Sequence, residues 1–153
     1  MKYKSTLLVV KNMEKSKRFY NDVLGLAVVL DFGANVTLTG GISLQSEETW
    51  RTFIDGRNIT YKGNASELYF EEPDFDGFAE KLDNTAGIEY VHHAREHSWG
   101  QRVVRFYDPD GHIIEVGESM KTVVLRFAQR GLSVFEIAKR MDVPESFVQS
   151  CLS

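Results

Sequence analysis

Residues 6–10 form an unbroken β-rich apolar run, after which the apolar positions switch to helical spacing, Phe19 with Val23 and Tyr20 with Leu24. Asn12 stands where an N-cap belongs and Gly25 where a helix stops, so the pattern predicts a helix over 13–24. Residues 26–32, 35–39 and 42–45 then read as three strands, punctuated by Gly33, Gly40 and Gly41. The order is β-α-β-β-β. Residues 46–65 are polar, without a clear period, and read as a working loop or a spacer. The same order then returns. Residues 67–71 predict a strand, Asp74 an N-cap, and Phe75, Phe78, Ala79 and Leu82 an apolar helix stripe ended by Gly87. Strands are predicted over 88–92, 102–107 and 112–116, with Asp108, Pro109, Asp110 and Gly111 as a turn.

The repeat can be tested by register. An offset of 62 residues carries Asn12 to Asp74, Met13 to Phe75, Tyr20 to Leu82, Gly25 to Gly87 and Leu26 to Ile88. An offset of 70 carries residues 41–45 onto 111–115. Cap, apolar face, helix stop and following strand coincide in order, which a chance match would not supply. The fold class is therefore α+β: two βαβββ modules, about 1–46 and 66–118, within a domain over 1–119. Two equivalent modules are expected to close around one shared cavity.

Strand alternation sorts the side chains of that cavity. If Ile114 and Val116 face the covering helix, Ile113 and Glu115 face away from it. By the same rule Glu67, Tyr69 and Glu71 lie opposite Leu68 and Phe70, and Ser43 and Gln45 opposite Ile42 and Leu44. In the first strand Ser5, Leu7 and Val9 lie opposite Leu8 and Val10. The offsets pair Ser5 with Glu67 and Gln45 with Glu115, so four oxygen-bearing side chains converge. They can act as metal ligands or acid–base groups, or line a polar cavity, sharing a proton or pairing with arginine.

Aromatic residues wall most small-molecule cavities, and Trp99, Trp50, Phe53, Tyr61 and Tyr69 are the candidates, with core packing the alternative role, favoured for Tyr69. Arg95, Arg102 and Arg105 can hold an anionic group bidentately, although a solvated strand face is the simpler account of Arg102. His92 and His93 must point to opposite faces. His97 precedes Trp99 in a loop expected at the cavity rim, where it acts as ligand, acid or base, or is merely solvated. His112, after the turn glycine, is read as structural.

Composition narrows the options. With 18 Lys+Arg against 22 Asp+Glu the net charge is −4, which argues against nucleic acid or an anionic membrane as the main partner. Cys151 is the only cysteine, so there is neither a disulfide framework nor a cysteine-based zinc site. No apolar run reaches signal or membrane length, and the expected compartment is the cytosol.

Two stretches carry a family resemblance. Residues 12–26 (Asn-Met-Glu-Lys-Ser-Lys-Arg-Phe-Tyr-Asn-Asp-Val-Leu-Gly-Leu) and residues 99–115 (Trp-Gly-Gln-Arg-Val-Val-Arg-Phe-Tyr-Asp-Pro-Asp-Gly-His-Ile-Ile-Glu) resemble the glyoxalase I, bleomycin-resistance and extradiol-dioxygenase superfamily, the vicinal oxygen chelate proteins. The resemblance spans about residues 3–118. It implies two βαβββ modules forming a cup-shaped mixed sheet, with metal ligands on the first and last strands of each module. The family's ligand positions fall on Ser5, Glu67, Gln45 and Glu115, of which Glu115 matches the usual pattern well. A histidine is usual where Ser5 stands. The implied metal set is Glu67, Glu115 and Gln45, and its oxygens suit Mg²⁺, Mn²⁺ or Ca²⁺ better than Zn²⁺. Mn, Mg, Ni or Zn, or no metal at all, are the cofactor options.

Two functions follow. The chief expectation is a protein that binds or sequesters a small molecule, as in the bleomycin-resistance branch, with Trp99, Trp50, Phe53, Tyr69, Arg105 and His97 as ligand-binding residues. The alternative is a metal-dependent lyase or dioxygenase in which Glu115 and Glu67 are catalytic. The expected partners are a small-molecule ligand and a second copy of the chain in a homodimer.

Residues 120–153 form a helical extension beyond the resemblance, with helices predicted over 123–129, 134–141 and 144–152. Residues 131–152 resemble a helix-turn-helix of the response-regulator kind. Ser133 and Glu136 form a capping box, and Pro144 opens the last helix. A DNA-linked regulator is thus a minor alternative. The would-be recognition helix, however, has no Lys or Arg, which argues for packing on the domain or on a second subunit.

Overall fold

The computed structural model describes all 153 residues, which divide into two compact units: residues 1–67 with 107–113, and residues 68–106 with 114–153.

In the first unit β1 (Thr6–Val10), α1 (Met13–Leu24), β2 (Val28–Asp31), β3 (Asn35–Leu38) and β4 (Ile42–Ser46) follow the expected order. The Asn12 side chain accepts from the Lys15 N–H at 2.9 Å, and Gly25 closes α1 in the left-handed region at φ +70°. The sheet order is β1-β4-β3-β2, with β1 parallel to β4 and the other neighbours antiparallel. Val10, Tyr20, Val23, Val36, Leu38 and Leu44 are buried in its core.

The helix and the acidic turn read separately in the sequence meet here. Tyr20 donates to Asp108 Oδ2 at 2.8 Å, and Ser16 to Asp110 Oδ2 at 3.2 Å. Asp108 Oδ1 accepts the backbone N–H groups of Asp110 and His112, while its Oδ2 also meets His112 Nδ1 at 2.8 Å. Burial pushes the Asp108 carboxyl up, but His112 and Tyr20 outweigh it and hold it below the usual carboxylate range. His112 is therefore structural, as expected.

Residues 46–65 are not wholly irregular. They contain α2 (Glu47–Phe53), capped by Ser46 and opened by Glu47 and Glu48. Seven residues are too few to show a helical period, which is why only the cap marks this helix in the sequence.

The second sheet, all but the end residues Glu67, Tyr107 and Ile113 within the second unit, is built from β5 (Glu67–Glu72), β6 (Glu89–Glu96), β7 (Arg102–Tyr107) and β8 (Ile113–Glu118) in the order β5-β8-β7-β6, with α3 (Phe75–Asp83) following β5. Asp74 caps α3 as expected, but the helix ends at Asp83 with Asn84 as its C-cap, not at Gly87. Gly87, at φ +82°, instead serves the turn into β6. Strand β6 runs four residues past its expected end at His92, because alternation there is carried by polar side chains. The extension folds as α4 (Met120–Gln129), α5 (Val134–Met141) and α6 (Glu145–Leu152), with Val123, Phe127, Ile137, Met141, Val148 and Cys151 in a shared core. The Ser133–Glu136 capping box is present, and Pro144 takes the cap position just before α6. No helix is long and apolar enough to cross a membrane.

A buried carboxylate lies where the extension meets the sheet. Glu118, at the end of β8, is fully buried, with Arg102 Nη2 at 3.1 Å and Arg126 Nη2 at 2.9 Å. Arg102 is thus not on a solvated strand face: it also meets Asp76 of α3 at 2.7 Å. Burial raises the Glu118 carboxyl, yet the two guanidinium groups lower it further, leaving it below its ordinary value of 4.5. A depressed folded value means that this stabilisation is complete above the unfolded pKa and is lost as pH falls through the folded one. Glu118→Gln should therefore cost about 3 kcal/mol at pH 7 and flatten the loss of stability on acidification below pH 4.5. Urea unfolding of both proteins at neutral and acid pH measures it; an unchanged acid limb would place the dependence elsewhere.

Candidate functional site

Strand alternation gives the second sheet two chemically different faces. Toward α3, Phe106 packs on Phe78 with ring centroids 6.4 Å apart, and Arg102 lies 5.3 Å from the Phe75 ring. The opposite face carries Val103 and Arg105 of β7 and Glu115 and Gly117 of β8. A Cβ on Gly117 would lie 3.2 Å from the Tyr69 ring and 3.4 Å from Val103, which places Tyr69 of β5 on this face too.

Glu115 is buried there, and its Oε2, which accepts no hydrogen bond, forms an ion pair with the guanidinium of Arg105. Of the two roles open to this carboxylate, pairing with arginine is the one its surroundings provide. Arg105 Nη1 also approaches His92 Nε2 at 3.3 Å. His93 turns the other way, stacking on Tyr90 at 3.9 Å and meeting Asp83 at 3.5 Å, so only His92 reaches the open face. His97 stacks on Trp99 with centroids 4.2 Å apart and ring planes 15° from parallel. Burial lowers the His97 pKa, and Arg105, Arg95 and His92 lower it further, favouring the neutral imidazole at pH 7.

A hydrogen-bonded chain crosses the same face. Trp99 Nε1 donates to Gln101 Oε1 at 3.2 Å, and Gln101 Nε2 donates to the Tyr69 hydroxyl and to the Glu118 carbonyl, each at 2.9 Å. Tyr69 in turn donates to Glu71 at 3.0 Å. Burial raises the Tyr69 pKa, so its hydroxyl stays protonated as a donor. Tyr69 is 48% exposed, which corrects its reading as core: the chain of polar partners, not packing, fixes it. Gln101 and His92 tie the face together yet were not singled out as ligand-binding residues. The signal was available, since Gln101 shares the parity of Val103 and Arg105.

The remaining candidates lie in the first unit. Trp50 and Phe53 meet edge to face on α2 at 6.2 Å, and Phe53 is exposed. Tyr61 donates to Glu47 at 2.7 Å beneath the Lys11 ammonium, 3.9 Å from its ring centroid. Glu67 is exposed and, with Asn64, Ala65, Ser66 and Ile113, lines a polar recess of about 350 Å³. Gln45 is buried; its Oε1 accepts from Asn35 at 2.9 Å, and its Nε2 donates to the Ala34 carbonyl at 3.0 Å and to Thr49. Ser5 is half-buried just before β1.

These surroundings test the implied metal set. The Glu115 carboxylate already faces a guanidinium, and both polar atoms of the Gln45 amide are engaged within its own unit. No three His, Cys, Asp or Glu side chains are grouped so as to hold a metal ion. A divalent cation would have to displace Arg105 to reach Glu115, and the contacts of its amide to reach Gln45.

The helix-turn-helix outline is present in α5 and α6, joined through Asp142 at φ +54°. Helix α6 carries no basic side chain, and Arg126 and Arg140 are held by Glu96 and Glu118.

Comparison with known proteins agrees with this architecture. The glyoxalase-like domain family matches residues 3–121, and the chain belongs to that family. A protein of unknown function from Agrobacterium tumefaciens is 35% identical, with a TM-score of 0.70 over 78% of this chain and 95% of that one. A glyoxalase-related enzyme from Fulvimarina pelagi is 20% identical and shares the fold at a TM-score of 0.63, over 74% of this chain and 86% of that one. A glyoxalase/bleomycin resistance protein/dioxygenase superfamily member from Sphaerobacter thermophilus is 24% identical, with a TM-score of 0.61 over 78% and 98%. No curated protein matches.

The Arg105–Glu115 pair has a measurable signature. Arg105→Met should destabilise the protein by about 3 kcal/mol, because it strands the buried Glu115 charge, and Glu115→Met by less, because Arg105 is partly exposed, while the double variant should cost less than Arg105→Met alone. Chemical denaturation of the four proteins reads the coupling; additive losses would mean that the two charges do not depend on each other.

Proposed function

We propose that this glyoxalase-family chain binds a small, partly apolar molecule on the open face of its second sheet, without needing a divalent metal. One observation carries the reading: Glu115, the best match to the family's metal positions, is buried against Arg105 instead of presenting a free carboxylate. The same face offers the apolar and directional groups that ligands use, a stacked His97–Trp99 pair, the exposed Tyr69 ring and the Arg105 guanidinium. Glu67 and Glu115 remain the residues a metal-dependent lyase or dioxygenase would use. The commitment of Arg126 and Arg140 to acidic side chains favours a small-molecule role over a DNA-linked one.

A thermal-shift screen of small molecules, run in EDTA and again with Mn²⁺, tests the reading. Binders should raise the melting temperature equally in both, reaching about 2.7 kcal/mol of added stability at a hundredfold excess over Kd. Stabilisation seen only with the ion, and abolished by Glu115→Gln, would favour the metalloenzyme.

The homodimer belongs to the same proposal. Strand β2 is a sheet edge with Val28, Val29 and Leu30 exposed, Phe32 exposed just beyond it, and its one charge, Asp31, paired with Lys17 of α1. An edge strand can pair with its own copy about a two-fold axis, satisfying both rows of backbone groups. Light scattering should give twice the chain's mass, and Leu30→Lys should return it to the single-chain value.

A further inference from the structure

We propose that the C-terminal helices position the loop between β6 and β7, and with it His97 and Trp99, with Arg126 and Arg140 as the positioning residues. The inference rests on the reading that these two rings face the ligand. The loop is short and closed on itself: the His97 N–H bonds the Gln101 carbonyl, and the Gly100 N–H the His97 carbonyl, each at 2.8 Å. Such a turn constrains the loop's own backbone but does not by itself fix the loop relative to the helices.

The helices supply that restraint. Arg126 of α4 donates through Nη2 to the Gly100 carbonyl and through Nη1 to Glu96 at 3.4 Å, so one guanidinium holds both sides of the loop. Its remaining contacts, with Glu118, anchor it to the end of β8. Arg140 of α5 reaches the other Glu96 oxygen at 3.3 Å, with its guanidinium 4.6 Å from the Phe127 ring centroid. Phe127 itself fills the place of a side chain at residue 100: a Cβ there would lie 2.2 Å from its Cζ, and Gly100 sits at φ +92°. Only glycine permits both the backbone turn and the aromatic ring beneath it.

The glyoxalase-like match ends at residue 121, so nearly all of this grip comes from a segment outside the family domain. The same contacts engage two of the extension's five basic side chains. Arg126 and Arg140 lie on the side of the helices that meets the loop, and both serve Glu96.

The His97–Trp99 stack reports the loop's position without a ligand. A protonated imidazole quenches an adjacent indole, so Trp99 emission should fall as His97 titrates. The groups facing His97 are Arg105 from β7 and Arg95 and His92 from β6, and with burial they place that transition below the ordinary 6.5. In a Trp50→Phe background, which leaves Trp99 as the single reporter, the parent should show this low transition. Arg126→Met and Arg140→Met should move it up toward 6.5 or remove it, while far-ultraviolet circular dichroism stays that of the parent; Arg126→Lys should restore it in part. Arg140 is half exposed and touches only Glu96 and Phe127, so its variant decides the matter if Arg126→Met does not fold. A folded variant with the parent's transition overturns the proposal, as does a parent with no transition at all. Ligand binding is read separately: any molecule found by the thermal-shift screen should bind Arg140→Met several-fold more weakly. Absence of any binder would sink the ligand reading and leave the positioning result standing.

Discussion

Strand β8 buries two carboxylates, Glu115 and Glu118, and their spacing of three residues puts them on opposite faces of one sheet. A buried carboxylate is tolerable only when a cation or several donors meet it. Strand β7 supplies both cations with the same three-residue spacing, Arg105 to the open face and Arg102 to the helical one. This pair of neutralisations organises the second unit. On one side it sets the charge of the candidate site; on the other it creates the anchor to which the C-terminal helices attach.

The two faces therefore have different tasks built from the same chemistry. Glu118 draws in Arg126 from α4 as well as Arg102, and its backbone carbonyl receives Gln101, whose amide also holds Tyr69 and Trp99. A single residue position thus connects the helical extension, the strand end and the polar chain across the open face. Glu115 has a narrower set of neighbours, with the Arg105 guanidinium as its charge partner. The site is defined as much by charges already satisfied as by groups still available.

The first unit solves its own burial problem in the same way, with hydroxyl and backbone donors instead of guanidinium groups. Asp108 sinks into the fold because Tyr20, His112 and two backbone N–H groups satisfy it together. That contact joins α1 to a turn 88 residues away in the chain and explains why a Tyr near a helix end and an acidic turn serve one purpose.

By itself the sequence determined the elements and their repetition. Caps at Asn12, Asp74 and Ser133, stops such as Gly25, and alternation in β1, β7 and β8 are local signals, carried by a few residues each. They placed most strands and helices, and alternation within β7 and β8 sorted their side chains between the two faces of the second sheet. It missed α2 because seven residues carry no period, and misplaced the end of α3 because Gly87 belongs to the following turn. It also marked Glu115, Arg105, His97 and Trp99 as candidates, since parity and residue type suffice for that. Which carboxylate faces which cation was left open, because pairing depends on the register of neighbouring strands and on side-chain direction. Only the tertiary structure decided that Arg105 takes Glu115, that Arg102 leaves solvent for Glu118, that Tyr69 is held by hydrogen bonds at the surface, and that Arg126 and Arg140 of the helical extension reach the loop between β6 and β7. Each of those choices is made between groups distant in the chain, by burial that no local pattern records.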